Sequence, residues 1–214
     1  MMDNEISVTE AYLAFKPFIN RDDSFAVMKD GVNEYCVVKD FLFPKYFKDH
    51  LDGKNTIGLF QISKDNKIKW LCWDFDAAEN QPLDEVFEDA KKLYSHLKST
   101  GYNPILEFSG RRGYHVWLFV NDIDAGEGKA FAEKMASESN SFPHEIFPKQ
   151  STLSGKGFGC MVKLPLGIHK VSGKRSFLLD GAFNEMDMKK SINLMKSIQA
   201  RSINGERYEN EKTY

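Results

Sequence analysis

Two aspartates one residue apart end an apolar run, Ile-Lys-Trp-Leu-Cys-Trp-Asp-Phe-Asp, residues 68–76. Side chains alternate along a strand, so Asp74 and Asp76 would share one face while Trp73 and Phe75 take the other. Carboxylates placed side by side repel if both are buried and unpaired. A hard divalent cation removes that conflict. Mg²⁺ takes oxygen ligands, commonly one or two carboxylates plus substrate phosphates. Two such ions about 3.5–4 Å apart can activate an attacking hydroxyl and steady a leaving group. Taken alone, the spacing reads more simply as a strand running into a turn, its aspartates capping Asn80 and the next helix. The downstream residues reverse that balance.

Some thirty residues on comes Phe-Ser-Gly-Arg-Arg-Gly-Tyr-His-Val-Trp-Leu-Phe, 108–119. Residues 103–108 and 113–120 read as two strands, with Ser109, Gly110, Arg111 and Arg112 as a tight turn between them. Glycine admits positive φ and close backbone approach. Successive amides in such a turn can form an anion-binding nest, and guanidinium forks suit phosphate oxygens. His115, Trp117 and Phe119 should share one face of the second strand, with Tyr114, Val116 and Leu118 on the other. His115 lies close enough to the turn to reach a phosphate. A basic hairpin turn above a satisfied core histidine is the plainer alternative.

Residues 141–180 carry six bases (Lys149, Lys156, Lys163, Lys170, Lys174, Arg175) against two acids (Glu145, Asp180), a local charge of +4 in a chain of −2. Phosphate binding depends on such local clusters rather than on net charge. Leu164-Pro165-Leu166-Gly167 reads as a rigid turn presenting His169 and Lys170. Phe177-Leu178-Leu179 reads as a short strand delivering Asp180, a third carboxylate that would complete a metal site begun by Asp74 and Asp76. Asp180 before Gly181 is also an ordinary turn pair. Carboxylates for metal ions, cations for phosphates and glycines for backbone approach together form the set that nucleotidyl transfer needs.

The positioning elements can be read from periodicity. The stripe Leu83, Val86, Phe87, Ala90, Leu93, Tyr94 and Leu97 predicts a helix over 82–100, capped by Asn80 and ended by Gly101. His96 lies off that stripe. A second helix is expected over 124–139 with Phe131 and Met135 inward, and a last one near 187–200 on Met188, Ile192 and Met195. Ser7 to Glu10 fits a capping box, with an interruption at Pro17. Residues 24–28 read as a strand and 41–51 as an aromatic, basic helix packed on the core. Residues 57–63 and 68–75 read as a strand pair around Lys64 to Lys67. Strands interleaved with helices but joined by hairpins indicate an α+β fold with a mixed or antiparallel central sheet.

At 214 residues and 42% hydrophobic content the chain can bury one good core, with room for a small accessory lobe. The expected organisation is an N-terminal helical region over 1–54, a catalytic core over 55–200 and a polar tail over 201–214. Three scattered cysteines, Cys36, Cys72 and Cys160, imply a reducing compartment and no zinc site of the paired-cysteine type. No apolar stretch is long enough for a membrane span, and the acidic start lacks signal-peptide character. A cytoplasmic location is expected.

The ordered set of Asp74-x-Asp76, Ser109 to His115 and Asp180 resembles the three motifs of the archaeo-eukaryotic primase superfamily of primase-polymerases. The linking segments Glu-Ile-Phe-Pro-Lys-Gln, 145–150, and Val-Lys-Leu-Pro-Leu-Gly-Ile-His, 162–169, resemble its CRISPR-associated and conflict-system branch. The resemblance spans residues 55–182. It implies an RNA-recognition-like sheet module beside a second sheet module, with the active site in the cleft between them. Asp74, Asp76 and Asp180 would bind two Mg²⁺ or Mn²⁺ ions. Ser109, Arg112 and His115 would contact the phosphates of a nucleoside triphosphate, helped by the Gly110–Arg111 turn. Lys163, His169 and Arg175 would line the nucleotide or template path. Expected partners are single-stranded or primer-template DNA, nucleoside triphosphates, and further domains or CRISPR or conflict-system proteins. Two alternatives stay open: a gap-filling repair polymerase that extends but cannot initiate, and a nucleotide- or nucleic-acid-binding module without catalysis.

Overall fold

A computed structural model describes residues 5–155 and 157–203 of the chain. Helix α1 (Val8–Phe15) begins at the expected capping box: Ser7 Oγ accepts from the Glu10 N–H at 3.2 Å and the Glu10 carboxylate accepts from the Ser7 N–H at 3.0 Å. Pro17 turns its end into a 3₁₀ turn, Lys16–Phe18. Helix α2 is shorter than expected, Pro44–Leu51, because proline sets the first helical φ and Phe43 becomes the N-cap. Phe47 is buried, while Phe41 and Phe43 stay half exposed ahead of the helix. Helix α3 (Leu83–Ser99) buries Val86, Ala90, Leu93 and Leu97, four residues of the expected stripe. It starts from Pro82 with no side-chain cap, so Asn80 does not cap it; Asn80 instead sits in a turn at φ 67°. Its end is a Schellman motif: Gly101 (φ 91°) donates to Lys98 O and Tyr102 to Leu97 O. Helices α4 (Ala125–Glu138) and α5 (Met188–Lys196) follow the expected positions, burying Met135, and Ile192 and Met195.

Among the described residues nine strands form two antiparallel sheets. The smaller has the order β2 (Tyr35–Val38), β1 (Phe25–Met28), β3 (Ile57–Phe60), β8 (Met161–Lys163). The larger runs β7 (Glu145–Phe147), β4 (Lys67–Asp76), β6 (Gly113–Asp124), β5 (Ile105–Phe108), β9 (Phe177–Leu179). The fold is α+β, and the expected central sheet is antiparallel throughout its named pairs. One expected pairing fails. β3 and β4 do not pair; β3 joins β1 and β8 while β4 joins β6 and β7. The turn around Lys64 to Lys67 closes locally, with Asn66 N–H donating to Ser63 O, but it carries the chain from one sheet to the other. Strands from both sides of residue 54 share the smaller sheet. Near the other end, Arg201 bridges β6 at Val120, and residues 204–214 of the expected tail lie outside the described residues.

The larger sheet has apolar side chains on both faces. Leu71, Trp73, Phe75, Val116 and Leu118 pack under α3 and α4. Trp70, Cys72, Trp117 and Phe119 face the other way, onto α1, α2 and the smaller sheet. Trp70 and Trp117 meet edge to face at 5.2 Å between ring centres. Period-two alternation thus pins the register, since a slip of one residue would exchange the two faces. The side chains that continue the second face toward the end of β4 are Asp74 and Asp76, and there the two sheets part to form a cleft.

Candidate active site

One wall of the cleft is the larger sheet: Asp74 and Asp76 on β4, His115 on β6, Ser109 and Arg111 from the β5–β6 turn, and Glu145 and Phe147 on β7. The opposite wall is the smaller sheet with its loops: Asn33, Tyr35, Met161, Val162, Lys163 and His169. The register makes a row across the larger sheet, with Glu145 opposite Asp74, Asp74 opposite His115, and His115 opposite Glu107. Asp74 has a buried Oδ1 with no hydrogen-bond donor, 3.6 Å from His115 Nε2. Burial raises its pKa above the usual carboxylate value; His115 counters this, while Asp76 and Glu145 add to it. Arg112 donates from Nε and Nη2 to Asp76 Oδ2, both at 3.0 Å.

The turn is built to fit. Ser109 N–H donates to Gly113 O at 2.9 Å, and Gly110 lies at φ 89°. A Cβ on Gly110 would stand 3.1 Å from Lys174 O and 3.2 Å from Ser176 N. Its close approach is therefore to the 167–176 loop, which also takes hold of it through Ser172 Oγ, donating to Gly110 O at 2.6 Å. Gly113 faces Asp76 across the ladder, and a Cβ there would lie 2.6 Å from Asp76 Oδ1. Glycine at 113 makes the room that the second aspartate occupies.

Below the cleft floor lies Glu107, fully buried. Its Oε2 accepts from His115 Nδ1 and Trp117 Nε1, each at 2.9 Å, and its Oε1 accepts from Lys163 Nζ at 3.2 Å. Burial works to raise its pKa, but Lys163, His115 and these hydrogen bonds prevail and bring it to about 2. An ionised carboxylate only accepts, so His115 Nδ1 carries a proton and Nε2 is the nitrogen turned toward Asp74. For His115, burial would lower the pKa, but Glu107 and Asp74 outweigh it and the net shift is upward. His169 moves the other way, to about 4, through burial, Lys163 and Arg111. Its Nδ1 accepts from the Val171 N–H at 3.3 Å, leaving Nε2 as the donor of a neutral ring.

The sequence-predicted residues thus divide. Asp74, Asp76, Ser109, Arg111, His115, Lys163 and His169 meet in the cleft. Gly110 shapes the turn behind it, and Arg112 is held on Asp76. Two predicted residues are elsewhere. Arg175 donates from Nη1 to Leu51 O and Leu166 O, at 2.8 and 2.6 Å, tying its loop to α2. Asp180 is not a cleft residue: it follows β9, at the far edge of the sheet from β4, and its Oδ1 accepts from Ala182 and Asn184 N–H in a turn. Those backbone bonds lower its pKa. Lys163 also proves to be spent, because Leu164 O and Ser176 Oγ accept its ammonium at 3.0 and 3.3 Å in addition to Glu107.

Sequence reasoning missed Glu145 as a site residue. It reaches the cleft beside Asp74, and Lys149 pairs with it one helical-type spacing on. Its signal was a lone acid leading Ile-Phe within the basic segment. Among the described residues no group of three or more His, Cys, Asp or Glu is arranged to hold a metal ion by itself. The donor set still suits one. The undonated, buried Asp74 Oδ1 and the neighbouring Asp76 are hard oxygen ligands, of the number Mg²⁺ uses when phosphates supply the rest.

No curated protein matches the sequence. Among solved structures, the polymerase domain of Mycobacterium tuberculosis Ligase D in complex with DNA is similar at 11% identity and TM-score 0.49, covering 88% of this chain and 87% of that one. The archaeo-eukaryotic primase domain of the cyanophage S-2L primase-polymerase is similar at 9% identity and TM-score 0.47, covering 89% and 99%. The catalytic domain of primase RepB′ in complex with initiator DNA is similar at 11% identity and TM-score 0.48, covering 88% and 92%. Residues 21–205 match the family described as the archaeo-eukaryotic primase domain of TOTE conflict systems, which covers most of the chain including its cleft. The chain belongs to that family.

Proposed function

We propose that the cleft is a nucleotidyltransferase centre, a DNA primase-polymerase that initiates primers on single-stranded template and extends them. The observation that carries this reading is the convergence of Asp74 and Asp76, one with an oxygen lacking any donor, on the same cleft as His115, Arg111 and Ser109. A 3′-hydroxyl, or the hydroxyl of a first nucleotide, attacks the α-phosphate of an incoming nucleoside triphosphate. Asp74 and Asp76, with Glu145 beside them, would hold Mg²⁺ or Mn²⁺, which when bound supplies Lewis-acid stabilisation of the phosphoryl oxygens. Arg111 and the Ser109 hydroxyl donate to the triphosphate, with the Nε2 edge of His115 beside them, and hold it alike in the bound and transition states. The conflict-system setting follows the matched family; the specific partners, DNA included, are part of this proposal.

The test is primer synthesis on unprimed single-stranded DNA with Mg²⁺ or Mn²⁺, wild type beside Asp74→Ala/Asp76→Ala. Short products from the wild type alone are expected. Products from both proteins would reject the metal assignment. Extension confined to a primed template would identify a gap-filling polymerase. One observation favours the binding-module reading: Asp76 is already paired with Arg112. Nucleotide binding without turnover, on either template, would select it.

A further inference from the structure

All four residues of β5 are buried, and one of them is a glutamate between Leu106 and Phe108. A buried carboxylate is strongly destabilising unless it is paired and hydrogen-bonded, and well-packed apolar residues often do as well for stability. Glu107 is nevertheless fully satisfied, by two donors on Oε2 and one on Oε1. Glu107 does not itself line the cleft, but it holds a residue that does. Lys163 faces the cleft, yet its three ammonium hydrogens have three acceptors within the protein, so it serves as the counter-ion of Glu107. Trp117 fixes the same oxygen from the strand that bears His115.

We propose that Glu107 is a positioning residue: clamped by Lys163 and Trp117, it fixes the His115 ring so that its Nε2 edge faces the cleft where the phosphates of the incoming nucleotide would lie. The inference rests on the reading of the cleft as a triphosphate site. An imidazole without this anchor could turn over, exchanging a nitrogen for a carbon at the ligand side. With it, the ring is already oriented when the nucleotide arrives. Lys163 then acts through Glu107 rather than on phosphate.

Steady-state primer extension by Glu107→Gln, with nucleotide varied, tests this. A lost charge-assisted contact made equally in the bound and transition states raises KM and spares kcat. The expected KM rise is about tenfold or more, with kcat within about threefold of wild type. Loss of folded protein alone would lower apparent kcat at wild-type KM, and that pattern would overturn the inference. If Glu107→Gln does not fold, Glu107→Asp keeps the charge but withdraws it from His115 and should raise KM in the same direction; a folded Asp variant with wild-type KM also overturns it. Because Glu107 acts through His115, adding Glu107→Gln to His115→Asn should change KM no further, and additive rises would contradict the proposal. A wild type that neither binds nor uses nucleotide would reject the underlying reading, and the inference with it, whereas an active wild type with insensitive Glu107 variants would reject the inference alone.

Discussion

In Asp74 and His50 burial is the largest influence on charge, and each yields a measurement. Asp74 has its pKa raised, chiefly by burial, so its ionised form is disfavoured in the folded protein and stability is lost as pH rises from the ordinary carboxylate range through its raised folded pKa. Asp74→Asn should therefore be at least as stable as wild type in metal-free buffer. Added Mn²⁺ or Mg²⁺ should raise the melting temperature of wild type, by mass action on the folded state, and leave that of Asp74→Asn unmoved; equal shifts would place the ion elsewhere. His50 is fully buried, its Nε2 donating to Pro165 O at 2.9 Å and its Nδ1 accepting from the Ile57 N–H at 3.1 Å. Burial pushes its pKa down to about 3 from 6.5. The unfolded chain takes up a proton below pH 6.5 and the folded chain does not, so stability is lost as pH falls. The slope is about 1.4 kcal/mol per pH unit, or about 2 kcal/mol between pH 7 and 5. Urea unfolding at the two pH values should show that loss in wild type and less of it in His50→Gln. The Asp74–Asp76 pair was legible because a period of two is local. Glu107 was not, although a single charge inside an apolar strand was a visible signal, because its partners lie 8, 10 and 56 residues away in sequence.

At the scale of elements, helix positions could be read closely from periodicity and caps, while strand pairing could not. Residues 57–63 and 68–75 have the spacing and turn residues of a hairpin, yet the apolar side chains Ile57 and Leu59 belong to the core under α1 and α2, which draws β3 into the other sheet. The same limit applies to Asp180, which the structure puts in a turn after the edge strand β9. A short apolar strand ending in aspartate was recognisable; its neighbour in the sheet was not. Asp180→Ala should lose its turn bonds and lower the melting temperature slightly, while retaining primer synthesis if Asp74 and Asp76 carry the reaction. Abolished synthesis in a folded Asp180→Ala protein would return that residue to the site. Arg175→Met removes two bonds to carbonyls on separate elements. It should lower unfolding free energy by about 1–3 kcal/mol and leave nucleotide KM within about twofold, a contrast that separates a strut from a phosphate ligand.

For the molecule as a whole, the smaller sheet joins what the sequence divided. β1 and β2 come from before residue 54, and β3 and β8 from after it. Deleting residues 1–54 would strip Ile57 and Leu59 of Phe15, Phe25 and Phe47 and remove the Tyr35 side of the cleft. The truncated chain should lack cooperative thermal unfolding by circular dichroism; a sharp transition would show that the remainder is an independent domain. The row Glu145, Asp74, His115, Glu107 across four neighbouring strands carries a further consequence. Its charges lie on one face only because every strand is in register. A one-residue slip of β6 would drive His115 among the leucines beneath α3 and leave Glu107 without its partner. The cleft chemistry and correct strand pairing are thus a single condition. A mispaired chain is penalised by its own ionic groups, so errors of assembly should surface as insoluble protein rather than as a soluble, inactive pool.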